Sequence, residues 1–197
     1  MKTMKTMKNI IIISLLLITF SMNSQQKQLP FFEIGSYSSD YSSTNIVSRM
    51  IEGLGYRFYW ATESLLEKDL NYKPSDDSRS TFEVIKHIYD LSSAMVLTME
   101  GKEVTYDQDK LSYEVLREKT LNNLLAVYHS LKDIKDFSSL TIILNRNGEK
   151  MTFPFWNMIN GPISDAIWHC GQVVTNRRAS GNPLNSKVNV FVGKTIP

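Results

Sequence analysis

Read for the spacing of its apolar residues, the chain from residue 44 onward divides into amphipathic stretches separated by polar or glycine-containing breaks. From Asn45 to Asp69, Met50, Leu54, Phe58, Ala61 and Leu65 recur at three- and four-residue steps. Tyr59, Thr62 and Leu66 widen the row, which predicts a helix with one buried stripe. Ser43 and Thr44 offer its caps. Asn71-Tyr72-Lys73-Pro74 ends it, because proline disfavours helical geometry in the residue before it. Gly53 and Gly55 each cost roughly 1 kcal/mol of helix propensity against alanine; close approach of a neighbouring helix would account for them.

A second helix is predicted from the capping box Ser80-Thr81-Phe82-Glu83, with Val84, Ile88, Leu91 and Met95 on its core face and an end near Gly101. A third covers about Ser112 to Lys132, with Leu121, Leu124, Leu125, Tyr128 and Leu131 inward. The period then changes: Thr141-Ile142-Ile143-Leu144, the turn signal Asn145-Arg146-Asn147-Gly148, and Lys150 to Phe153 read as a short hairpin. A fourth helix follows, with Pro162 at its first turn, where a missing N–H costs nothing. It runs to about Arg178 and stops at Gly181. Pro154 to Asn160 form a helical lead-in kinked at Gly161-Pro162. Residues 182–197 are expected as an extended tail, whose alternating Val188, Val190 and Val192 suit one face to lie along the helices. The predicted fold class is all-α: a four-helix bundle with a short β-hairpin before the last helix and an extended C-terminal tail. Residues 44–197 form one domain, with no repeat or low-complexity linker to divide it.

The first 24 residues differ from the rest. Lys2, Lys5 and Lys8 precede Ile10 to Phe20, apolar at nine of eleven positions, and then polar Ser21-Met22-Asn23-Ser24. This is the layout of a secretory signal peptide, too short in its apolar part to span a bilayer and expected to be cut after Ser24. The chain is therefore expected to be exported, periplasmic or secreted, with no stable membrane anchor once the leader is gone. Residues 25–43, polar and rich in Ser and Tyr, are expected as an extended N-terminal arm. Residues 25–197 carry 19 basic and 20 acidic side chains, so the mature domain has no electrostatic footprint for nucleic acid. Cys170 is the only cysteine, which excludes a disulfide within the chain. The sequence leaves a homodimer open.

Two of the three histidines stand where apolar residues are expected. His87 lies between Val84 and Leu91 on the second helix, and His169 lies mid-way along the fourth. Asp165 precedes His169 by four residues and therefore shares its face, in a polar row continued by Gln172 and Asn176. Burying two imidazoles and a carboxylate without partners would cost several kcal/mol each. A divalent cation satisfies all three, and three protein ligands leave positions for water, as in catalytic sites. An Asp–His hydrogen bond on the helix is the plainer alternative.

His87 within Glu83-Val84-Ile85-Lys86-His87-Ile88, Asp165-Ala166-Ile167-Trp168-His169-Cys170-Gly171-Gln172, and Arg177-Arg178-Ala179-Ser180-Gly181-Asn182-Pro183 together resemble the DinB-like family, over roughly Thr44 to Pro183. The resemblance implies a four-helix bundle that holds a divalent metal through one His on the second helix and His-x-x-x-His on the last. Carried onto this chain, the ligands are His87, Asp165 and His169. Asp165 departs from the family's His, making the ligand set harder; two His and one carboxylate is itself a known facial set for iron. The implied cofactor is zinc first, with nickel, iron or manganese as alternatives. The implied activity is a metal-dependent hydrolase or a thiol-transferase-like enzyme on an unidentified small-molecule substrate. The leader argues against the thiol chemistry, because low-molecular-weight thiol pools are chiefly cytoplasmic. The alternative is a non-catalytic, exported protein that binds a metal or a small ligand.

Other residues read as structural. His129 is expected to face solvent and Cys170 to act as a small buried hydrophobe. Asp90, one turn beyond His87, suits either a partner for that imidazole or a solvated acid. Arg177 and Arg178 suit the dipole of the last helical turn or, less simply, an anion. Phe58, Tyr59, Trp60, Phe155, Trp156 and Trp168 are expected in the core, some of them walling a pocket above the metal. No Gly-rich phosphate loop, Gly-x-Ser-x-Gly elbow or His-Glu-x-x-His is present.

Overall fold

The structure is a computed structural model and describes residues 28–106 and 108–196. The expected signal peptide, 1–24, and its cleavage point lie outside the described residues. The fold is mostly helical. Helix α1 spans Ser43–Ala61, the short α2 Glu67–Leu70, α3 Thr81–Met99 and α4 Tyr113–Leu131. Strands β1 (Thr141–Arg146) and β2 (Glu149–Pro154) form an antiparallel hairpin. A short helix α5 (Trp156–Met158) leads through a π-helical turn, Ile159–Ile163, into α6, Ser164–Ala179. The long helices pack pairwise, α3 on α4 and α6, and α1 on α4 and α6. Their shared core holds Ile51, Leu54, Phe58, Ile85, Ile88, Met95, Leu116, Leu121, Leu124, Leu131 and Ile163.

The capping box of the second predicted helix forms as expected: the Glu83 N–H donates to Ser80 Oγ at 3.2 Å and the Ser80 N–H to Glu83 Oε2 at 2.6 Å. Within α3, Leu91 is half-buried while Ile85 is fully enclosed, so the core face is rotated slightly from the expected one. The hairpin pairs Arg146 with Glu149 across Asn147 (φ 53°) and Gly148 (φ 87°). Two consecutive positive φ values are what a type I′ turn requires, and Asn-Gly supplies them with least strain.

The first helix is shorter than its apolar row predicts. It ends at Ala61 rather than Asp69, and Ser64 takes a left-handed φ of 55°. Side chains from distant elements hold the carbonyls of its last turn. Arg177 Nη1 donates to Trp60 O and Ala61 O, both at 3.0 Å. Arg117 Nη2 donates to Tyr59 O at 3.3 Å, and the Tyr113 hydroxyl donates to Thr62 O. The orphan carbonyls of a helix end are thus satisfied without further helical residues.

The lead-in to the last helix is present, but Pro162 lies inside a continuous helical path rather than at a first turn. The widened turn tolerates its missing N–H, and Ser164 Oγ donates to Ile159 O at 2.6 Å. The tail corrects a second expectation. It folds back on itself through β3 (Val188–Asn189) and β4 (Lys194–Thr195). Val190 and Val192 are exposed and Phe191 almost fully so; only Val188 of the alternating set packs on the core. Gly193 sits on Ile34, where an added Cβ would fall 2.5 Å from the Ile34 side chain, and the Ile34 N–H donates to Gly193 O at 2.9 Å.

The segment before α1 supplies Leu29, Phe31, Phe32 and the buried Ile34 to the core, whereas Tyr37 and Tyr41 are exposed. Gly55 is explained by this segment and not by a helix: a Cβ there would lie 2.4 Å from the Phe31 ring. Phe58, Tyr59, Trp60 and Phe155 are buried as expected. Trp156 and Trp168 are not, each 74% exposed. Trp168 falls out of phase with the buried row Ile163, Ala166, Cys170 and Val173 of its helix.

Candidate metal centre

Helices α3 and α6 pack side by side, and the seam between them places His87 against Asp165 and His169, 78 residues away for the closer pair. His87 Nε2 lies 3.2 Å from Asp165 Oδ2, and His169 Nε2 lies 3.3 Å from Asp165 Oδ1. The two imidazole rings meet edge to face, with centroids 4.7 Å apart. One ligand atom from each residue lies within 4.8 Å of the other two. Four ligands arranged tetrahedrally about 2.0 Å from a zinc ion leave about 3.3 Å between neighbours. The two His–Asp separations are of that order, and they run to different oxygens of the one carboxylate.

The group is half-buried rather than enclosed, with side-chain exposures of 30% for His87, 39% for Asp165 and 12% for His169. It therefore lines the rim of the helix seam, where solvent and small molecules reach it. Burial pushes the His87 imidazole below the ordinary histidine value; the Asp165 acceptor pulls it up, and the charges of His169 and Arg79 lower it further. A neutral imidazole is the ligating form.

His169 is oriented from behind. Its Nδ1 lies 2.6 Å from Gln172 Oε1, one turn further along α6. With the amide oxygen accepting, Nδ1 carries a proton and donates to Gln172, and Nε2 faces Asp165 Oδ1. That pairing of a ligating imidazole with a fixed acceptor on its other nitrogen is a recurrent feature of metal sites. Gln172 belonged to the polar row read from the sequence, but the row alone did not indicate which nitrogen it would hold.

The rest of the polar row divides by role. Asn176 is buried and donates to Thr81 Oγ1 at 3.2 Å, tying α6 to the start of α3. Asp90 pairs with Lys86 Nζ at 2.6 Å on its own helix. Cys170 is enclosed, its thiol pushed up to about 12 by burial, which leaves it without nucleophilic character at neutral pH. His129 is exposed and packs edge-on against Tyr128. Arg177 is buried on the α1 carbonyls and on Asn182 O at 2.7 Å, so it is a structural cap and not an anion receptor.

Beside the triad, an open cleft of about 620 Å³ is lined by Pro74, Ser78, Arg79, Val84, Trp168, His169, Gly171, Gln172, Thr175 and Asn176. The exposed Trp168 forms part of its wall, and His169 is the member of the triad that borders it. Ser78 and Arg79 stand immediately before the capping box, in a loop whose sequence carries no motif. Among the described residues, no helix is long and apolar enough to cross a membrane. No family model, curated protein or solved structure matches this chain.

Proposed function

We propose that the chain is an exported, DinB-like four-helix bundle that binds a divalent metal through His87, Asp165 and His169 and uses it in hydrolytic or thiol-transferase-like chemistry. The observation that carries this reading is the convergence of two imidazoles and one carboxylate on one point, with an accessible cleft beside them. Two imidazoles and one carboxylate are a donor set that suits zinc, and nickel, iron and manganese accept the same donors. When bound, such an ion lowers the pKa of a water or thiol and polarises a substrate.

The chain's own residues divide the remaining work. Gln172 fixes the His169 tautomer, and Asp165 offers one oxygen toward each imidazole. Among the described residues the cluster has no fourth His, Cys, Asp or Glu, which favours ligand positions open to small molecules over a closed structural site. Hydrolysis is the chemistry more compatible with export.

A second reading, non-catalytic binding of a metal or small ligand, is favoured by the exposure of the triad and the His87–Asp165 hydrogen bond, which spare the residues any need of catalysis to explain them. Metal analysis after equilibration with zinc, nickel, iron(II) or manganese decides the first point. One ion per wild-type chain and none in His87→Ala or His169→Ala is the expected result; no stoichiometric metal in the wild type overturns the site. Chelator-sensitive turnover of ester, amide or phosphoester probes then separates an enzyme from a binding protein.

A further inference from the structure

We propose that the cleft beside the metal site selects an anionic small molecule with a planar or apolar body, held by Arg79 at the charged end and by Trp168 along the body. The inference rests on the preceding reading for its chemistry, but its recognition elements are separate side chains.

Three observations carry it. Arg79 lines the cleft, is exposed, and makes no hydrogen bond or ion pair with any described residue. No aspartate or glutamate lines the cleft with it. Glu83, whose carboxylate feels the Arg79 charge, forms its hydrogen bond with the Ser80 N–H and lies 3.8 Å from Lys73 Nζ rather than pairing with Arg79. A guanidinium whose five donors make no hydrogen bond with the described residues is suited to a carboxylate or a phosphate. Trp168 is the second element: a 74% exposed indole on the wall shared with His169. An exposed tryptophan lining the same cleft as a cation gives a ligand one apolar face and one charged anchor.

The third element is the size and placement of the cleft. At about 620 Å³ it lies in the range of small-molecule pockets, and His169 with its Gln172 partner borders the same space. A molecule anchored at Arg79 and lying on Trp168 therefore occupies the cleft that His169 borders. A neutral molecule of equal shape leaves the guanidinium without an acceptor, so the charge preference follows from the cleft and not from the metal alone.

The test is calorimetric titration of the full chain, zinc-loaded and zinc-free, with 2-naphthylacetate and its neutral isostere 2-naphthylacetamide. The zinc-loaded wild type is expected to bind the acid at least tenfold more tightly than the amide. Arg79→Gln should abolish that preference while retaining one zinc per chain, Trp168→Ala should weaken both probes about tenfold, and Arg146→Gln, on the distant hairpin, should change neither. Equal affinity for acid and amide, or a preference that persists in Arg79→Gln, overturns the proposal. The two readings fail separately. Absence of zinc with a persisting Arg79-dependent preference removes the metal site and keeps the anion cleft; one zinc per chain with no preference does the reverse.

Discussion

At the residue scale, the polar atoms that matter most are those with a single defined task. Gln172 touches His169 and nothing that would destabilise the helix if lost, being exposed at the seam. On the proposed metal reading, with zinc as the ion, Gln172→Ala is expected to weaken affinity roughly 10–100-fold with the fold intact, measured by competition against a chromogenic chelator. Arg177 is the opposite case. Arg177→Met leaves the buried Trp60 and Ala61 carbonyls without donors and is expected to destabilise the chain by about 2–4 kcal/mol in urea unfolding, with no direct effect on metal stoichiometry. His87, Asp165 and His169 were legible in the sequence because each interrupts or flanks an apolar row. The work of Arg177 was not, because its acceptors lie 116 and 117 residues away and a carbonyl has no sequence signature.

At the scale of elements, α1 shows how far local pattern extends. Its stripe of Met50, Leu54, Phe58, Ala61 and Leu65 keeps helical spacing past the point where the helix stops, because Leu65 is buried from a turn as effectively as from a helix. The hairpin, by contrast, was readable, since Asn-Gly dictates its own backbone. The two glycines of α1 give a paired prediction. At Gly53 an added Cβ meets only the movable Arg57 Nη1, at 3.2 Å, so Gly53→Ala should be neutral or stabilising by up to about 1 kcal/mol. Gly55→Ala drives a methyl into the Phe31 ring and should cost about 1–3 kcal/mol despite the better helix propensity. Thermal unfolding compares the two, and limited proteolysis should show the residue 29–34 segment released first in Gly55→Ala.

At the scale of the whole molecule, the two ends of the helical body are joined by a polar junction. Asp69 is enclosed, and its carboxylate accepts from Asn182 Nδ2 at 2.6 Å, the Ser180 hydroxyl at 2.5 Å and the Leu66 N–H at 2.8 Å. Burial alone would raise its pKa; the hydrogen bonds from Ser180, Asn182 and Leu66 outweigh burial and hold it below the usual carboxylate value. A depressed folded pKa contributes stability that is present above the unfolded value, about 4, and is lost as pH falls through the folded one. The urea midpoint of the wild type should therefore exceed that of Asp69→Asn at pH 7, and the gap should close below pH 4. The Arg177-to-Pro183 segment had stood out as a motif, yet in space it is this junction rather than part of the metal site. Sequence pattern gave the helices and the candidate ligands. It could not give the junction, which depends on the last helix returning to the end of the first.

The π-helical turn before α6 has a consequence for how the chain can change length. The buried row steps by five residues from Met158 to Ile163 and only then resumes steps of three and four. One residue is surplus to a regular helix there, and the wide turn absorbs it without disturbing the phase on either side. Deleting Pro162 should therefore restore an unbroken α-helix and leave the proposed metal binding unchanged. Deleting a single residue between Asp165 and His169 swings one past the other by about 100° and should abolish binding. The approach to the candidate ligands is thus tolerant of a lost residue at one spot and intolerant a turn later.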